Sequence, residues 1–321
     1  MNIRIKKILY STLAFAGMVA AISPAKAEVT PSGDGVAVNM IVTATVANGK
    51  RMPQLTGSDI AVKRGKEQLR VSSWTPARGS NAGLDLFVLI DDAAAPSLGM
   101  HLEDVRSFIL AQPATTLIGV GYMQNAGVQV AQDLTANHAL AAQALRLPIG
   151  HAGAYGSPYL SVTDLMKRWP EHESRREVII LSDGVDRMHR TLHTRRGFTV
   201  NPDVDVAATV AHQTGTVIHS IYVPGARLTR RAYWPLTNGQ AQMASLSEKT
   251  GGKSFYLGLQ SPVSLRPYLD ELQNVFANQY VLTFSAKPDK KPGLQSVKLS
   301  TDVAGVALAA HQAVWVPASR N

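Results

Sequence analysis

The sequence predicts an α/β fold in which a doubly wound, mostly parallel sheet is inserted in a small all-β sandwich built from both chain ends. The central observation is an unbroken apolar run over 86–90 that ends in Asp91. A second run, over 178–181, is followed by Ser182 and Asp183. Continuous apolar runs of this length are typical of strands buried on both faces of a parallel sheet. We therefore expect both carboxylates at the edge where such sheets bind ligands.

Helix and strand signals alternate between residues 84 and 278. Apolar residues at helical spacing predict helices over 98–111, 137–145, 157–169, 203–213, 240–249 and 264–278. Shorter β-branched runs predict strands over 116–123, 127–130, 216–223 and 254–257. This alternation is the pattern of helices packed on a mostly parallel sheet.

Both ends of the chain have the texture of β-strands instead. The predicted strands cover 35–47, 60–63, 69–71, 280–284, 297–299 and 306–316. The sequence thus divides into an N-terminal part of the sandwich (30–79), an α/β domain (80–278) and a C-terminal part of the sandwich (279–318). Domain insertion is tolerated where the two ends of the inserted domain lie close together.

Residues 1–27 have the features of a secretory signal peptide. A basic start is followed by an apolar segment over 8–23 and by the small-x-small cleavage pattern at 25–27. The apolar segment is shorter than the roughly 20 residues that a membrane-spanning helix needs. We expect cleavage after Ala27 and a periplasmic or secreted protein that is not membrane-spanning afterwards.

The net charge and the absence of cysteine limit the classes of function that the protein can have. The 321-residue chain has a formal net charge of +9, from 32 basic and 23 acidic residues. Removing residues 1–27 takes away four basic residues, so the remaining charge is 28 − 23 = +5. A mildly basic balance does not by itself indicate nucleic acid, and we expect no nucleic-acid partner. The absence of cysteine excludes disulfides, thiol chemistry and cysteine-based metal sites.

A family resemblance rests on the order of these elements and on two flanking motifs. The order is strand–Asp, helix, strand hairpin, helix, Gly-Ser-helix and strand–Asp-Gly; the motifs are Leu-Thr-Gly-Ser-Asp-Ile-Ala-Val at 55–62 and Asn-Gln-Tyr-Val-Leu at 278–282. The chain resembles a von Willebrand factor A (VWFA) domain, and more closely the exported acidobacterial VWFA-related proteins. The resemblance implies a VWFA-type sheet and a role in protein–protein interaction or adhesion.

VWFA domains often carry a metal-ion-dependent adhesion site, and the resemblance assigns Asp91, Ser157 and Asp183 to its metal ligands. Ala93 and Ala95 stand where the pattern has serine. Divalent cations such as Mg²⁺ take several oxygen ligands, which methyl groups cannot supply. We expect a degenerate site without Mg²⁺ or another cofactor, which Ala93→Ser with Ala95→Ser would restore if the loop geometry is intact. In the alternative interpretation, the two aspartates only hydrogen-bond neighbouring loop amides.

A cluster of basic and aromatic residues follows the fourth and fifth strands of the predicted sheet. The candidate ligand-binding residues are Arg187, His189, Arg190, Arg195, Arg196, Arg230, Arg231, Tyr233 and Trp234. Guanidinium groups bind carboxylates in a bidentate manner, so a protein partner with an acidic patch is expected. The alternative is ordinary solvated loop charge.

The sequence segments that resemble catalytic or phosphate-binding motifs lack residues that those motifs require. Gly252-Lys253-Ser254 resembles the end of a phosphate-binding loop, but residue 247 is Ser where that motif has Gly. His189 and His193 lack the glutamate of a zinc protease at position 190. We therefore predict an exported non-catalytic binding protein and no enzyme. The alternative function is a structural or assembly subunit of a cell-envelope complex.

Overall fold

A computed structural model describes residues 35–46, 52–150, 156–170, 174–188, 201–226, 233–256, 258 and 262–318, except for the side chains of Tyr233 and Trp234. The predicted signal peptide lies outside these ranges. Within them, no helix combines the length and apolar character needed to cross a membrane.

The strands and helices follow one another in the predicted β, α/β, β arrangement. The strands are β1 Val36–Val46, β2 Ile60–Arg64, β3 Glu67–Leu69, β4 Val71–Pro76, β5 Leu84–Asp91, β6 Thr116–Gln124, β7 Gly127–Thr135, β8 Arg175–Ser182, β9 Thr216–Tyr222, β10 Ser254–Phe255, β11 Gln279–Ala286, β12 Gly293–Ser296, β13 Lys298–Thr301, β14 Val306–Ala310 and β15 Ala313–Val316. The helices are α1 Leu102–Leu110, α2 His138–Gln143, α3 Pro158–Arg168, α4 Pro202–Thr214, α5 Tyr233–Lys249 and α6 Arg266–Ala277.

The central sheet has six strands in the order β10-β9-β8-β5-β6-β7. All neighbours are parallel except β7, which pairs with β6 as an antiparallel hairpin. Numbered from β5, this is the doubly wound order 3-2-1-4-5-6, read from the opposite edge. The chain first builds outward from β5 through β6 and then returns to β8, so the strand order reverses between β5 and β8.

Alternating side chains of the sheet are buried against helices on its two faces. Leu86, Val88 and Ile90 share one apolar core with α1, α2 and α6. Phe87 and Leu89 share the other with α3, α4 and α5. Because successive strand side chains point to opposite faces, an unbroken apolar run is required here. The predicted doubly wound α/β class is confirmed.

Strands from both chain ends form the flanking β structure. β1 lies between β14 and β11, and β4 pairs with the outer side of β11, all antiparallel. Two smaller sheets, β13-β2-β3 and β12-β15, complete this part. Apolar side chains of these sheets, including Val42, Val62, Phe284 and Val316, form a third core. The predicted sandwich therefore joins the two chain ends, whereas the exact domain boundaries stay a prediction.

Some predicted elements have different limits. The helix predicted over 98–111 begins as a 3-10 helix at Pro96 and becomes α1 only at Leu102. α5 begins at Tyr233 and not at residue 240. Pro235 does not prevent this earlier start, because it falls in the first turn, where proline is tolerated. The strand predicted over 306–316 is two strands. The chain breaks at His311 and Gln312 because β14 pairs with β1 and β15 pairs with β12.

Candidate functional site

The two predicted aspartates meet where the strand order reverses. Asp91 is the last residue of β5 and Asp183 directly follows β8. The parallel register places Ile90 level with Leu181, so Asp91 lies beside Ser182. The sheet thus brings both carboxylates to its C-terminal edge at the switch point, as the sequence predicts.

The Asp91 carboxylate is buried and hydrogen-bonded within its own loops. Its Oδ1 accepts the backbone N–H of Ala93 at 2.9 Å, and its Oδ2 accepts the hydroxyl of Ser182 at 2.6 Å. The Ser182 oxygen in turn accepts the N–H of Gly184 at 2.9 Å. Ser182 therefore joins the end of β5 to the turn after β8.

Arg187 lies between the two aspartates. Its Nη2 is 2.5 Å from Oδ2 of Asp183, and its Nη1 donates to Oδ1 of Asp183 at 3.2 Å. The same Nη1 is 3.9 Å from Oδ2 of Asp91 and donates to the carbonyl of Val185 at 3.1 Å. One guanidinium thus lies within ion-pair distance of both carboxylates that the VWFA resemblance assigns to a metal site.

Burial sets the charge balance of this cluster. Burial raises the pKa of Asp91 to about 6. The negative charge of Asp183 also raises this pKa, whereas the positive charge of Arg187 lowers it. Burial also works to lower the pKa of Arg187, but Asp183 and Asp91 outweigh it and raise that pKa. The guanidinium therefore stays charged and is the counter-ion of the Asp91 and Asp183 carboxylates.

Asp92 is fully buried and holds a neighbouring loop. Arg146 binds it in a bidentate manner, with Nη1–Oδ1 and Nη2–Oδ2 distances of 2.7 Å each. The Asp92 carboxylate also accepts the N–H of Ile149 at 3.2 Å and a hydrogen bond from Gln124. The Arg146 guanidinium stacks 3.6 Å from the centroid of the Tyr122 ring. Asp92 therefore holds residues 146–150 in place beside the site.

Backbone hydrogen bonds join the loops at this edge. Ala95 N–H donates to the carbonyl of Pro224 at 2.7 Å, and Ala226 N–H donates to that of Ala93 at 2.8 Å. On the other side, Gly150 N–H donates to the carbonyl of Asp92 at 2.9 Å. We call these connected segments, 92–101, 146–150, 183–188 and 223–226, the C-terminal rim.

The donor set does not fit a divalent cation. Ala93 and Ala95 present methyl groups, and Ser157 uses its oxygen to cap α3 by accepting the N–H of Leu160 at 3.4 Å. Among the residues that the structure describes, no three histidine or carboxylate side chains are arranged to hold a metal ion. The oxygens of Asp91 and Asp183 are already bound by N–H and O–H donors.

The structure describes only part of the predicted ligand-binding set. Arg187 is turned inward, with 20% of its side chain exposed, and pairs with Asp183. Tyr233 and Trp234 begin α5, and their side chains are not described. The others lie outside the described residues: His189, Arg190, Arg195, Arg196, Arg230 and Arg231.

Sequence reasoning missed the apolar character of the rim. Met100, Leu147 and Ile149 are 73%, 56% and 55% exposed, and Met188 follows Arg187 with its side chain also exposed. The segments carrying Met100 and Leu147 are packed together, because a Cβ on Gly99 would lie 2.4 Å from Leu147 Cδ2. A signal was available in Leu147-Pro148-Ile149, an apolar tripeptide outside any predicted helix or strand.

The fold is that of a doubly wound α/β domain set into a β-sandwich, with Asp91, Asp183 and Arg187 together at the switch point of its central sheet. No protein-family model matches the sequence, and no curated protein matches it. Similar solved structures include an aerotolerance-related membrane protein from Bacteroides fragilis, at 10% identity and a TM-score of 0.42, covering 60% of this chain and 98% of that one.

Two further structures resemble the chain to a similar degree. BatB from Bacteroides thetaiotaomicron has 9% identity and a TM-score of 0.41, covering 61% of this chain and 98% of its own. The SpRpn10 VWA domain has 11% identity and a TM-score of 0.37, covering 60% and 94%. These likenesses concern the fold alone. The resemblance to the acidobacterial VWFA-related proteins stays a prediction.

Proposed function

We propose that this protein is an exported, non-catalytic VWFA-type module for protein–protein interaction or adhesion, which binds a protein partner through its C-terminal rim. The observation that carries the proposal is the group of exposed apolar side chains on the rim, Met100, Leu147 and Ile149. Clustered apolar side chains on a surface are typical of protein-binding sites. The Asp92–Arg146 ion pair and hydrogen bonds to Asp92 join the two loops that carry them, so little ordering is needed on binding.

The partner is proposed to carry an acidic patch. Arg190, Arg195, Arg196, Arg230 and Arg231 lie in the two segments that leave the C-terminal ends of β8 and β9. Guanidinium groups remain charged at any envelope pH and bind carboxylates through paired hydrogen bonds. Arg187 is excluded from this set, because Asp183 and Asp91 already neutralise its charge.

Export rests on the predicted signal peptide, with the periplasm or the cell exterior as the compartment. A second candidate function is a structural or assembly subunit of a cell-envelope complex. The same apolar side chains favour it, because permanent interfaces are more hydrophobic than transient ones. Purification from envelope extract separates the two functions: a permanent subunit co-purifies with its complex at fixed stoichiometry, whereas a transient binding module does not.

The binding proposal is tested by reversing charge in the two arginine-containing segments that follow β8 and β9. Crosslinking and mass spectrometry of envelope extract would first identify the partner. We then expect Arg190→Glu with Arg230→Glu to weaken binding at least about tenfold at low salt, because charge reversal opposes an acidic patch. Wild-type affinity is expected to fall as salt rises.

The matched control is Lys290→Glu with Lys291→Glu, which changes net charge equally on the exposed loop between β11 and β12. It should bind like the wild type. If both double variants bind equally, with unchanged circular dichroism, the arginine segments are ordinary solvated surface.

A further inference from the structure

The four carboxylate oxygens of the site all have partners within the protein. Oδ1 of Asp91 accepts a backbone N–H and Oδ2 accepts the Ser182 hydroxyl. Oδ1 of Asp183 accepts the N–H of Val185 at 2.9 Å and also Nη1 of Arg187. Oδ2 of Asp183 is paired with Nη2 of Arg187. A metal ion would have to share these oxygens with donors that the protein already supplies, or displace them.

Arg187 is held in this position by its backbone as well as by its side chain. Its N–H donates to the carbonyl of Gly156 at 2.9 Å, and its Nη1 donates to the carbonyl of Val185. Gly156 itself is tightly placed, since a Cβ there would lie 2.9 Å from the backbone nitrogen of Ala126. The backbone and the guanidinium of Arg187 are therefore both held by neighbouring groups, and the guanidinium is not a freely moving surface charge.

We infer that Arg187 is a built-in cation that takes the place of a divalent metal, and that Asp91 and Asp183 form a latent metal site which opens only when Arg187 is removed. A dication brought between the aspartates would meet the positive guanidinium at close range in a buried setting. Electrostatic repulsion in such a setting is only weakly screened. The missing serines are therefore a secondary obstacle, and restoring them does not create a site while Arg187 remains.

The inference does not depend on the partner, and thermal unfolding with Mn²⁺ or with EDTA tests it. The wild type should have the same Tm in Mn²⁺ as in EDTA. The double variant Ala93→Ser with Ala95→Ser should likewise show no difference between Mn²⁺ and EDTA. Adding Arg187→Ala to this pair should lower Tm in EDTA, because two carboxylates are left without their counter-ion. Mn²⁺ should then raise Tm by roughly 5 °C at about a hundredfold excess over Kd.

Two variants serve as controls. Arg187→Lys, in the background of the two serines, keeps the positive charge and should remain insensitive to Mn²⁺. Asp183→Asn, added to the triple variant, removes a metal ligand and should abolish the response.

Two results would overturn the inference. One is an equal Mn²⁺ response with and without Arg187, which would mean that the arginine does not block the site. The other is a triple variant that gains nothing from Mn²⁺, or that fails to fold even in its presence, since the cation should then replace the lost ion pair.

Discussion

Glu177 is a carboxylate buried in the middle of the central sheet, on β8. Its Oε2 lies 2.7 Å from Nε2 of His219 on β9, and its Oε1 lies 3.9 Å from Nη1 of Arg175. Nδ1 of His219 accepts the N–H of Lys253 at 2.9 Å, so Nε2 is the ring nitrogen that donates to Glu177. Glu177 thereby joins β8 to β9, and His219 extends the network to Lys253, the residue before β10.

Replacing Glu177 with alanine should cost about 3 kcal/mol of unfolding free energy, because it leaves the buried imidazole N–H of His219 without its acceptor and removes the negative charge beside the buried Arg175 guanidinium. Urea denaturation measures the loss. Glu103→Ala is the matched control, since the carboxylate of Glu103 is exposed and pairs with Arg106 on the same helix, α1. That variant should lose less than about 1 kcal/mol. A similar loss in both variants would mean that the Glu177 network adds nothing beyond a surface pair.

The aspartates of the site could be predicted from sequence, but their partners could not. Asp91 and Asp183 each end an apolar run, and the carboxyl ends of neighbouring parallel strands meet at one edge. The Arg146–Asp92 pair joins residues 54 positions apart through a loop whose path no local pattern encodes. Arg187 is four residues from Asp183, but in a turn and not a helix, so spacing alone did not indicate that it folds inward.

At the scale of elements, apolar runs and helical spacing identified strands and helices, whereas tertiary contacts set their limits. Gly239 illustrates this within α5. Glycine weakens a helix interior, and the helix predicted from sequence begins only after this position, at residue 240. A Cβ at Gly239 would lie 2.5 Å from the carbonyl oxygen of Asp183, so close packing on the site loop requires glycine. Sequence alone does not reveal such a contact.

α4 meets the turn between β14 and β15 through two histidines. Nδ1 of His212 lies 3.0 Å from Nδ1 of His311. Burial lowers the pKa of His212 to about 4, with a further contribution from the positive charge of Lys249. Burial, with His212 next to it, lowers the pKa of His311 to about 3. Both rings are therefore neutral in the folded protein at neutral pH.

This pair should make the protein less stable in acid. Below the ordinary histidine pKa of about 6.5, the unfolded chain binds protons that the folded chain does not, so unfolding becomes more favourable. The contribution is fully present above that value and is lost as pH falls toward 4 and then 3. His212→Gln with His311→Gln should flatten the dependence of unfolding free energy on pH across this range.

The comparison should be made between variants. The raised pKa of Asp91 has the opposite effect, since its contribution is present at low pH and is lost as pH rises through about 6. His138→Gln is the control, because Nε2 of His138 lies 2.8 Å from the carbonyl of Thr116 on β6 and the residue is not part of the His212–His311 pair. Chemical denaturation at several pH values measures the slopes. Equal slopes in the double variant and the wild type would contradict the assignment.

At the scale of the whole molecule, the two chain ends depend on each other. β1 is hydrogen-bonded along one side to β11 and along the other to β14, and both of these come from the C-terminal segment. The third apolar core likewise draws on both ends, with Val42 and Val62 from one and Phe284 and Val316 from the other. Neither end can bury its apolar face alone.

Truncation after Asn278 should therefore affect residues far away in sequence. It removes both neighbours of β1 and half of the third core, which leaves two unpaired strand edges and an exposed apolar surface. We expect the truncated protein to aggregate, or to lose residues 35–76 to protease while the α/β part persists. Soluble yield, size-exclusion chromatography and limited proteolysis with mass spectrometry measure these outcomes. A chain ending at Ala318 is the control, because it keeps every described strand and should behave like the full-length protein. A soluble truncation with a protease-resistant N-terminal segment would show that the N-terminal strands fold without their C-terminal partners.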